Sequence, residues 1–290
     1  MNNKSILIIG GTDGIGRALA NELVRSNKVL IVGRSKEKAQ AFKKANPTNG
    51  HYLLSDVSLL KNIRALVTEI KATLDSLDVI IHTADILRVK RLNTEEGLEM
   101  SIALNYYSRF LINQLLMGED PKFVPGRMMH IAAAGFPPSK RFMNNFPLPA
   151  RANSFKGHGI GQIANDFYGL TMAEKLKALG VKVNILNPGI VDTDIRRNGQ
   201  FPKFIKILSP IFGFLLRNRQ KSPQEYAMIP LSILRGENPD AEHFVLINSK
   251  GKGINGNTTL NERDTQHELY QFTTERIAGI LGSEKGIAWL

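Results

Sequence analysis

The sequence has no cysteine and no apolar run approaching the roughly 20 residues that a membrane-spanning helix needs. The absence of thiols excludes disulfides, thiolate metal sites and cysteine nucleophiles. Met1–Lys4 is polar and leads directly into an apolar run, which is not the pattern of a signal peptide. Together these absences predict a cytoplasmic protein.

Acidic residues are also scarce, since 26 Asp and Glu stand against 38 Lys and Arg and give a formal net charge of +12. This excess of positive charge favours anionic partners, and a phosphorylated cofactor or an anionic membrane surface is expected. No nucleic acid partner is expected, because the basic residues are dispersed and no zinc-finger or basic-zipper pattern occurs.

Several catalytic motifs are missing as well. The chain has no Gly-x-Ser-x-Gly elbow and no Walker sequence. Its histidines at 82, 130 and 158 lack metal-ligand spacing, so no metal is expected.

The chain does contain a regular alternation of strand-like and helical patterns. Strands are predicted at Ser5–Ile9, Lys28–Val32, His51–Leu54, Leu77–Ile81, Arg127–Ile131, Val181–Leu186 and His243–Ile247. Helices are predicted at Ile15–Ser26, Lys36–Ala45, Leu59–Leu74, Glu95–Leu116, Ile160–Leu179, Pro223–Arg235 and Gln266–Leu281. Such alternation predicts one α/β domain over residues 1–290, with a doubly wound parallel sheet and helices on both faces.

The first strand leads into a glycine-rich turn and a helix. The glycines lie at positions 10, 14 and 16, in the spacing Gly-x3-Gly-x-Gly. Glycine permits positive φ and close backbone approach, and the N-terminus of a helix attracts a phosphate. This corner therefore predicts a diphosphate-binding site, although a tight loop of any α/β domain has a similar composition.

The end of the second strand predicts which dinucleotide binds. Folds selective for NAD carry a carboxylate there, whereas a basic residue favours the 2′-phosphate of NADP. Here the strand ends in Gly33-Arg34 with no acid, which predicts NADP(H), the alternative being a solvated arginine. Asp56, before Val57, is expected either to bind the adenine amino group or to cap the next helix.

These residues resemble the short-chain dehydrogenase/reductase family. The resemblance includes the glycine-rich turn, Asp56-Val57, the helix around Asn105 and the segment Pro188–Thr193, and it extends over nearly the whole chain. It implies a Rossmann-type fold, in which Thr193 and the backbone of its loop bind the nicotinamide end of the cofactor.

The family's catalytic positions are altered in this chain. The resemblance implies Asn, Ser, Tyr and Lys, but alignment without gaps puts Ala133, His158 and Gln162 at the serine, tyrosine and lysine positions. Asn105 matches the asparagine. The family's Asn-Asn-Ala-Gly after the fourth strand reads His82-Thr83-Ala84-Asp85.

Two interpretations follow from these changes. The protein is either a cofactor-binding scaffold or sensor without activity, or a reductase that manages protons differently. Histidine has an ordinary pKa of about 6.5 and can donate a proton without a neighbouring lysine. An iminium substrate would need no proton after hydride addition, and Asp166, one turn beyond Gln162, is predicted to stabilise such a cation. An ordinary helix-start histidine and a solvated carboxylate are the alternatives.

A narrower resemblance concerns a divergent short-chain reductase branch common in fungi. It includes the segment 83–86, His158, and the pattern around residues 96–99 and 107–110. The resemblance implies secondary metabolism, in which some members of similar branches reduce imines.

The segment 194–222 is predicted to be a substrate lid. Its part 201–221 is strongly apolar and edged by lysine and arginine. A lid over an apolar substrate, peripheral membrane contact and a core or subunit helix are alternative interpretations. Residues 250–290 are predicted as a C-terminal extension, and the family resemblance implies a homo-oligomer built on helices 95–116 and 160–179.

The sequence thus predicts an NADP(H)-dependent reductase or dehydrogenase acting on a small apolar carbonyl or imine, with a non-catalytic NADP(H)-binding protein as the alternative. The catalytic candidates are Asn105, His158 and Asp166. The cofactor-binding candidates are Gly10, Thr12, Gly14, Ile15, Gly16, Arg34, Asp56, Val57, Ala84, Gln162, Pro188, Gly189, Val191 and Thr193.

Overall fold

The computed structural model describes residues 1–88, 90–118, 120–135, 138, 142–146, 152–192, 220–256 and 259–283. Thr193 and most of the proposed lid at 194–222 lie outside the described residues, as do residues 284–290 of the C-terminal extension.

An eight-stranded sheet forms the centre of the structure. Its strands are β1 (Ser5–Ile9), β2 (Lys28–Gly33), β3 (Gly50–Leu54), β4 (Val79–His82), β5 (Arg127–Ile131), β6 (Lys182–Leu186), β7 (Leu246–Ile247) and β8 (Gly253–Ile254). Their order is β3-β2-β1-β4-β5-β6-β7-β8, and every neighbouring pair is parallel except β7 and β8. The predicted doubly wound parallel sheet is confirmed.

Helices cover both faces of this sheet. They are α1 (Gly14–Leu23), α2 (Lys36–Ala45), α3 (Ile63–Thr73), α4 (Met100–Ile102), α5 (Ser108–Met117), α6 (Ser154–Lys175), α7 (Pro223–Leu234), α8 (Asp240–His243) and α9 (Arg263–Leu281). A π-helical turn, Ala103–Tyr107, joins α4 to α5, and 3-10 turns lie at Leu60–Asn62, Pro121–Phe123, Met143–Asn145 and Lys177–Leu179. Two apolar clusters, one on each side of the sheet, form the core.

Capping side chains explain where several helices begin. Asn153 accepts a hydrogen bond from the backbone N–H of Lys156, so α6 starts at Ser154, earlier than predicted. Glu99 accepts from the N–H groups of Ser101 and Ile102, so helical structure starts there and the prediction of helix from Glu95 was wrong.

The last part of the sheet also differs from the prediction. A strand was predicted from His243, but α8 ends at that residue and β7 contains only Leu246–Ile247. Asp240 stabilises this arrangement, since its carboxylate accepts a hydrogen bond from the N–H of Gly253 at the start of β8. The short antiparallel strand β8 was not predicted, because two residues carry no periodic signal.

The C-terminal extension packs on the domain through α9. The Tyr106 hydroxyl lies 2.8 Å from that of Thr273, and the rings of Phe110 and Tyr270 lie 5.1 Å apart. Every residue of α5 is buried. This helix therefore has no exposed face for the subunit contact that the family resemblance implies for helix 95–116.

Candidate functional site

A cleft of about 730 Å³ lies at the carboxyl ends of β1, β4 and β5. In this sheet order β1 lies between β2 and β4, and such switch points are where doubly wound sheets bind ligands. Along its walls lie thirteen of the cofactor-binding candidates: Gly10, Thr12, Gly14, Ile15, Gly16, Arg34, Asp56, Val57, Ala84, Gln162, Pro188, Gly189 and Val191. Thr193 is the remaining candidate and lies outside the described residues.

The glycine-rich corner packs tightly against the loop after β4. Gly10 has a φ of 92°, and a Cβ added to it would lie 2.5 Å from the backbone nitrogen of Ala84. A Cβ at Gly16 would lie 2.4 Å from the carbonyl oxygen of Gly10. Any side chain at these two positions would therefore push the start of α1 away from the sheet and change the shape of the cleft floor.

A cationic group stands at the tip of β2. The Arg34 side chain is 62% exposed and lines the cleft, with its Nη1 atom 3.7 Å from Oδ2 of Asp56. The other Asp56 oxygen accepts hydrogen bonds from the Ser58 N–H at 3.0 Å and hydroxyl at 2.7 Å. Asp56 therefore caps a turn while also contacting Arg34, and it does not cap the helical elements that follow, which have no side-chain cap.

The opposite wall is formed by the loop after β6. Gly189 has a φ of 64°, and its N–H donates to the Asn187 side-chain oxygen at 2.9 Å. The Asn187 amide donates in turn to the carbonyl of Ala134 at 3.1 Å. This chain of contacts fixes the loop relative to the end of β5.

Asp85 is the centre of a polar cluster in the cleft wall. Its Oδ2 atom lies 2.8 Å from His158 Nε2 and accepts from the Gln162 side chain at 3.0 Å. Its Oδ1 atom accepts from the Ile86 N–H at 2.7 Å and from the Asn105 amide at 3.3 Å. With four partners, the carboxylate has its usual acceptor positions filled.

The hydrogen bonds fix the chemical form of His158. The side-chain oxygen of Gln162 accepts from the N–H of Ala133 at 2.9 Å, so its NH2 group must be the one that faces Asp85. Since a carboxylate only accepts, the 2.8 Å contact requires a proton on His158 Nε2. His158 Nδ1 makes no hydrogen bond among the described residues, and the side chain is 21% exposed at the cleft.

The charges around His158 favour its cation. Burial alone would lower the pKa of His158, but the Asp85 carboxylate more than offsets this, and the pKa is raised above its ordinary value. Burial would raise the pKa of Asp85, and His158 with Arg109 instead holds it below the usual range. The cluster is therefore an ionised carboxylate beside a protonatable imidazole.

Arg109 supports the cluster from behind. It is buried, and its Nη2 atom donates at 3.0 Å both to the carbonyl of Ala84 and to that of Ile131. It thus joins the ends of β4 and β5 beneath the cleft. Burial lowers the pKa of Arg109 to about 10, and the negative charge of Asp85 opposes that change.

Asn105 lies behind the cleft wall and is fully buried. Its side chain donates to Asp85, and its carbonyl accepts from the Asn165 amide at 2.7 Å within the π-helical turn. The Asn105 side-chain oxygen makes no hydrogen bond among the described residues, and a Cβ at Gly161 would lie 2.1 Å from it. Asn105 therefore reaches the cleft only through Asp85.

The structure does not bring Asp166 to the cleft. Its side chain is fully buried, and Oδ2 accepts from the N–H of Gly135 at 2.8 Å. Burial raises the pKa of Asp166 to about 8, which favours the uncharged carboxyl at pH 7. A neutral, enclosed carboxyl cannot stabilise a cationic substrate in the cleft, which corrects the predicted role of this residue.

Asp85 and Arg109 are the functional residues that the sequence reasoning left without a role. Asp85 was noted only as a change from the family pattern, yet a carboxylate directly after a buried strand at a switch point is a recognisable signal. Arg109 is the charged residue of α5, whose other residues are apolar or neutral polar. The contact between Asp85 and His158 spans 73 residues and has no local signature.

The histidines at 82 and 130 form a separate buried network. His82 Nε2 lies 2.8 Å from the Asn113 side-chain oxygen, and His130 Nδ1 lies 3.2 Å from that of Asn165. Burial, with Arg109 nearby, lowers the pKa of His82 to about 3. Within the part of the chain that the structure describes, no group of His, Asp and Glu could hold a metal ion, and no helix has the length and apolarity to cross a membrane.

The glycine-rich corner and the first five strands correspond to a known family. The short chain dehydrogenase profile matches residues 4–134. Over these residues the chain is therefore similar to the short-chain dehydrogenase family. This family binds a nicotinamide cofactor, and the matched region contains the cleft-lining residues between positions 9 and 133.

Similar proteins extend over most of the chain. Retinol dehydrogenase 14 of Mus musculus is 28% identical over 258 residues, which cover 83% of this chain and 76% of that protein. Polyprenol dehydrogenase of Homo sapiens is 26% identical over 276 residues, covering 91% of this chain and 78% of that protein.

A solved structure agrees with this short-chain dehydrogenase fold. 3-Ketoacyl-(acyl-carrier-protein) reductase of Brucella melitensis, complexed with NADH, matches with a TM-score of 0.62 and 17% identity, over 85% of this chain and 96% of that one. At this identity the match shows the fold alone.

Proposed function

We propose that the protein is an NADP(H)-dependent oxidoreductase that interconverts an apolar carbonyl compound and its alcohol, with His158 exchanging the proton. The observation that supports this proposal most strongly is the position of the His158 imidazole. It lines the cleft, and its Nδ1 atom makes no hydrogen bond among the described residues. A bound nicotinamide supplies or accepts the hydride; the residues of this chain provide binding, orientation and the proton.

The cleft fits a dinucleotide. Its volume lies within the range of about 300–1,000 Å³ that is usual for cofactor sites. The glycine-rich corner and the N-terminus of α1 would hold the diphosphate. Ala84, Pro188 and Gly189 would line the rest of the binding path.

Arg34 supports a preference for NADP(H) over NAD(H). Its exposed guanidinium stands at the tip of β2, where the 2′-substituent of the adenosine ribose is recognised in this fold. Guanidinium groups bind phosphates through charge-assisted, often bidentate hydrogen bonds. Asp56 is held by Ser58 and Arg34, so it contributes orientation to the arginine at this position.

The proton chemistry favours an oxygen substrate over an imine. A carbonyl that accepts hydride becomes an alkoxide, which takes a proton from the protonated His158. An iminium substrate would instead need an available carboxylate. All acceptor positions of Asp85 are engaged, and Asp166 is buried and neutral.

The relatives support an apolar substrate. Several are named retinol dehydrogenases, and one is named polyprenol dehydrogenase. We extend that substrate class, an apolar alcohol and its aldehyde, to this protein.

Turnover of the purified chain with NADPH and apolar aldehydes, retinal among them, tests the proposal. Wild type should consume NADPH, and His158→Ala should lower kcat by roughly 10²–10⁴-fold, the range that a positioned acid contributes. His267→Ala alters a histidine outside the cleft lining and serves as the matched control, with turnover unchanged.

Two outcomes would contradict the proposal. Tight NADPH binding without turnover on any aldehyde or alcohol would favour a scaffold or sensor. Turnover of cyclic imines that is insensitive to His158→Ala would show that the cluster around Asp85 does not carry the proton.

A further inference from the structure

Four of the residues at which this chain departs from the family pattern are connected by hydrogen bonds. Gln162 accepts from the Ala133 N–H and donates to Asp85, and Asp85 pairs with His158. These four residues come from three separate segments, after β4, after β5 and on α6. Ala133 takes part through its backbone N–H, which any residue would supply, so the altered side chains in the network are Asp85, His158 and Gln162. Unrelated losses of function would have no physical reason to make these three side chains hydrogen-bond partners.

We propose, resting on the function proposed above, that Asp85 is a positioning residue that holds His158 in one tautomer and stabilises its cationic form, with Gln162 orienting the Asp85 carboxylate, so that an Asp–His pair replaces the family's tyrosine and lysine. Asp85 and Gln162 act through His158, which is the group that meets the substrate.

The first part of the argument is geometric. A rotated Gln162 amide would place its oxygen against the Asp85 carboxylate and its NH2 group against the Ala133 N–H, which are two repulsive contacts. Gln162 therefore has one orientation. The carboxylate in turn requires the Nε2 proton on His158, so the neutral imidazole presents the Nδ1 lone pair and the cation presents an Nδ1 proton.

The second part concerns charge. The groups that face His158 are Asp85 after β4, Arg109 on α5 and Glu99 before α4. Arg109 opposes the imidazolium, whereas Asp85 and Glu99 favour it. Glu99 accepts hydrogen bonds from the Ser154 hydroxyl at 2.5 Å and from two backbone N–H groups. Its carboxylate therefore influences His158 only through its charge. Asp85 is thus the group that keeps the cation stable despite Arg109.

The reaction balances with this pair. In the reducing direction hydride adds to the carbonyl carbon, the carbon–oxygen π pair moves to the oxygen, and the oxygen takes the Nδ1 proton. His158 is left neutral, and its Nε2–H still donates a hydrogen bond to Asp85. Solvent then returns a proton to Nδ1. Alcohol oxidation follows the same steps in reverse. Asp85 remains ionised throughout.

A nuclear magnetic resonance titration of His158 tests the inference without requiring turnover. In wild type the neutral ring should be the Nε2–H tautomer, and the midpoint should lie above the ordinary value of 6.5. His158→Ala identifies the signal. A wild-type ring in the Nδ1–H tautomer, or a midpoint below 6.5, would overturn the inference, and this measurement needs no other variant to fold.

Asp85→Asn gives the second arm. Removing a carboxylate at this distance should lower the His158 midpoint by roughly 1–3 units. Asp75→Asn is the matched control, because that carboxylate is 97% exposed and far from the cleft, and it should leave the midpoint unchanged. An unchanged midpoint in Asp85→Asn would contradict the role of Asp85.

The pH profile of turnover separates this inference from the proposed function. In Asp85→Asn the pH profile of carbonyl reduction should shift to lower pH by the same amount as the His158 midpoint. Activity at pH 7 should fall about tenfold for each unit by which that midpoint lies below pH 7. A shifted midpoint in a protein that never turns over would retain the Asp85–His158 pair and reject the oxidoreductase. A shifted midpoint with an unshifted profile would reject the pair's part in the reaction.

Discussion

Single residues decide what the cleft can do, and Asp166 shows how burial changes a prediction. On a helix of period 3.6, residues 162 and 166 share a face, which led to the prediction that Asp166 reaches the substrate. The structure instead encloses its carboxyl beneath Gly135. Helical spacing fixes a direction around the helix axis, but the segments that cover this face decide which side chains reach solvent.

The stability of the protein should depend on the proton held by Asp166. This carboxyl has a pKa of about 8 when folded, against 3.8 ordinarily. Above pH 4 the unfolded chain releases a proton that the folded chain keeps, so this group lowers the free energy of unfolding as the pH rises toward 8. Asp166→Asn removes the contribution, on the order of a few kcal/mol, while it preserves shape.

Urea unfolding of both proteins at pH 5, 6, 7 and 8 checks this expectation. As the pH rises from 5 to 8, the free energy of unfolding of wild type should fall relative to that of Asp166→Asn. Glu237→Gln, at an exposed position, should follow wild type. Parallel curves for Asp166→Asn and wild type would mean that the carboxyl is ionised in the fold.

The residues that line the cleft were easier to predict from local sequence patterns than the contacts between them. The candidates at positions 10–16 line the cleft because strand, glycine turn and helix lie next to one another in the chain. The Asp85 contacts to His158 and Gln162 join residues 73 and 77 positions apart. Such contacts depend on how α6 packs on the sheet, which no single segment encodes.

At the scale of elements, the important contact is that between α6 and the π-helical turn Ala103–Tyr107. The turn exposes the carbonyl of Asn105 to the Asn165 amide, and it places the Asn105 side chain against Gly161. The absence of a side chain at Gly161 thus allows Asn105 to reach Asp85. The hydrophobic pattern of the sequence predicts a continuous α-helix here. It cannot reveal the one extra residue that turns this segment into a π-helical turn.

Two glycines of α6 offer a matched comparison. In Gly161→Ala the new Cβ would lie 2.1 Å from the Asn105 side-chain oxygen, and we expect a loss of about 1–3 kcal/mol in the free energy of unfolding. Gly159→Ala meets nothing within 4 Å and should gain about 0.5–1 kcal/mol from helix propensity.

Urea unfolding midpoints of the two variants measure this difference. Equal stability of the two variants would show that the turn relaxes around Asn105 and that the close approach is not required.

At the scale of the whole molecule, the strand order brings the glycine-rich corner and the Asp85–His158 pair together at the carboxyl ends of the strands. The strand patterns predicted a doubly wound parallel sheet, since alternating strands and helices have few alternatives, but they did not predict the order of its strands. The extension 250–290 could not be placed from the sequence, and the structure packs its α9 onto the elements that support the cleft. Since α5 is fully buried, the assembly that the family resemblance implies could use α6 but not α5.

The most direct test of the account is calorimetry of NADPH and NADH binding to wild type and to Arg34→Ala. We predict saturable binding of one dinucleotide per chain, tighter for NADPH, and a loss of roughly tenfold or more in NADPH affinity on Arg34→Ala, with NADH affinity little changed. Folded wild-type protein that binds neither dinucleotide would contradict the account at its centre.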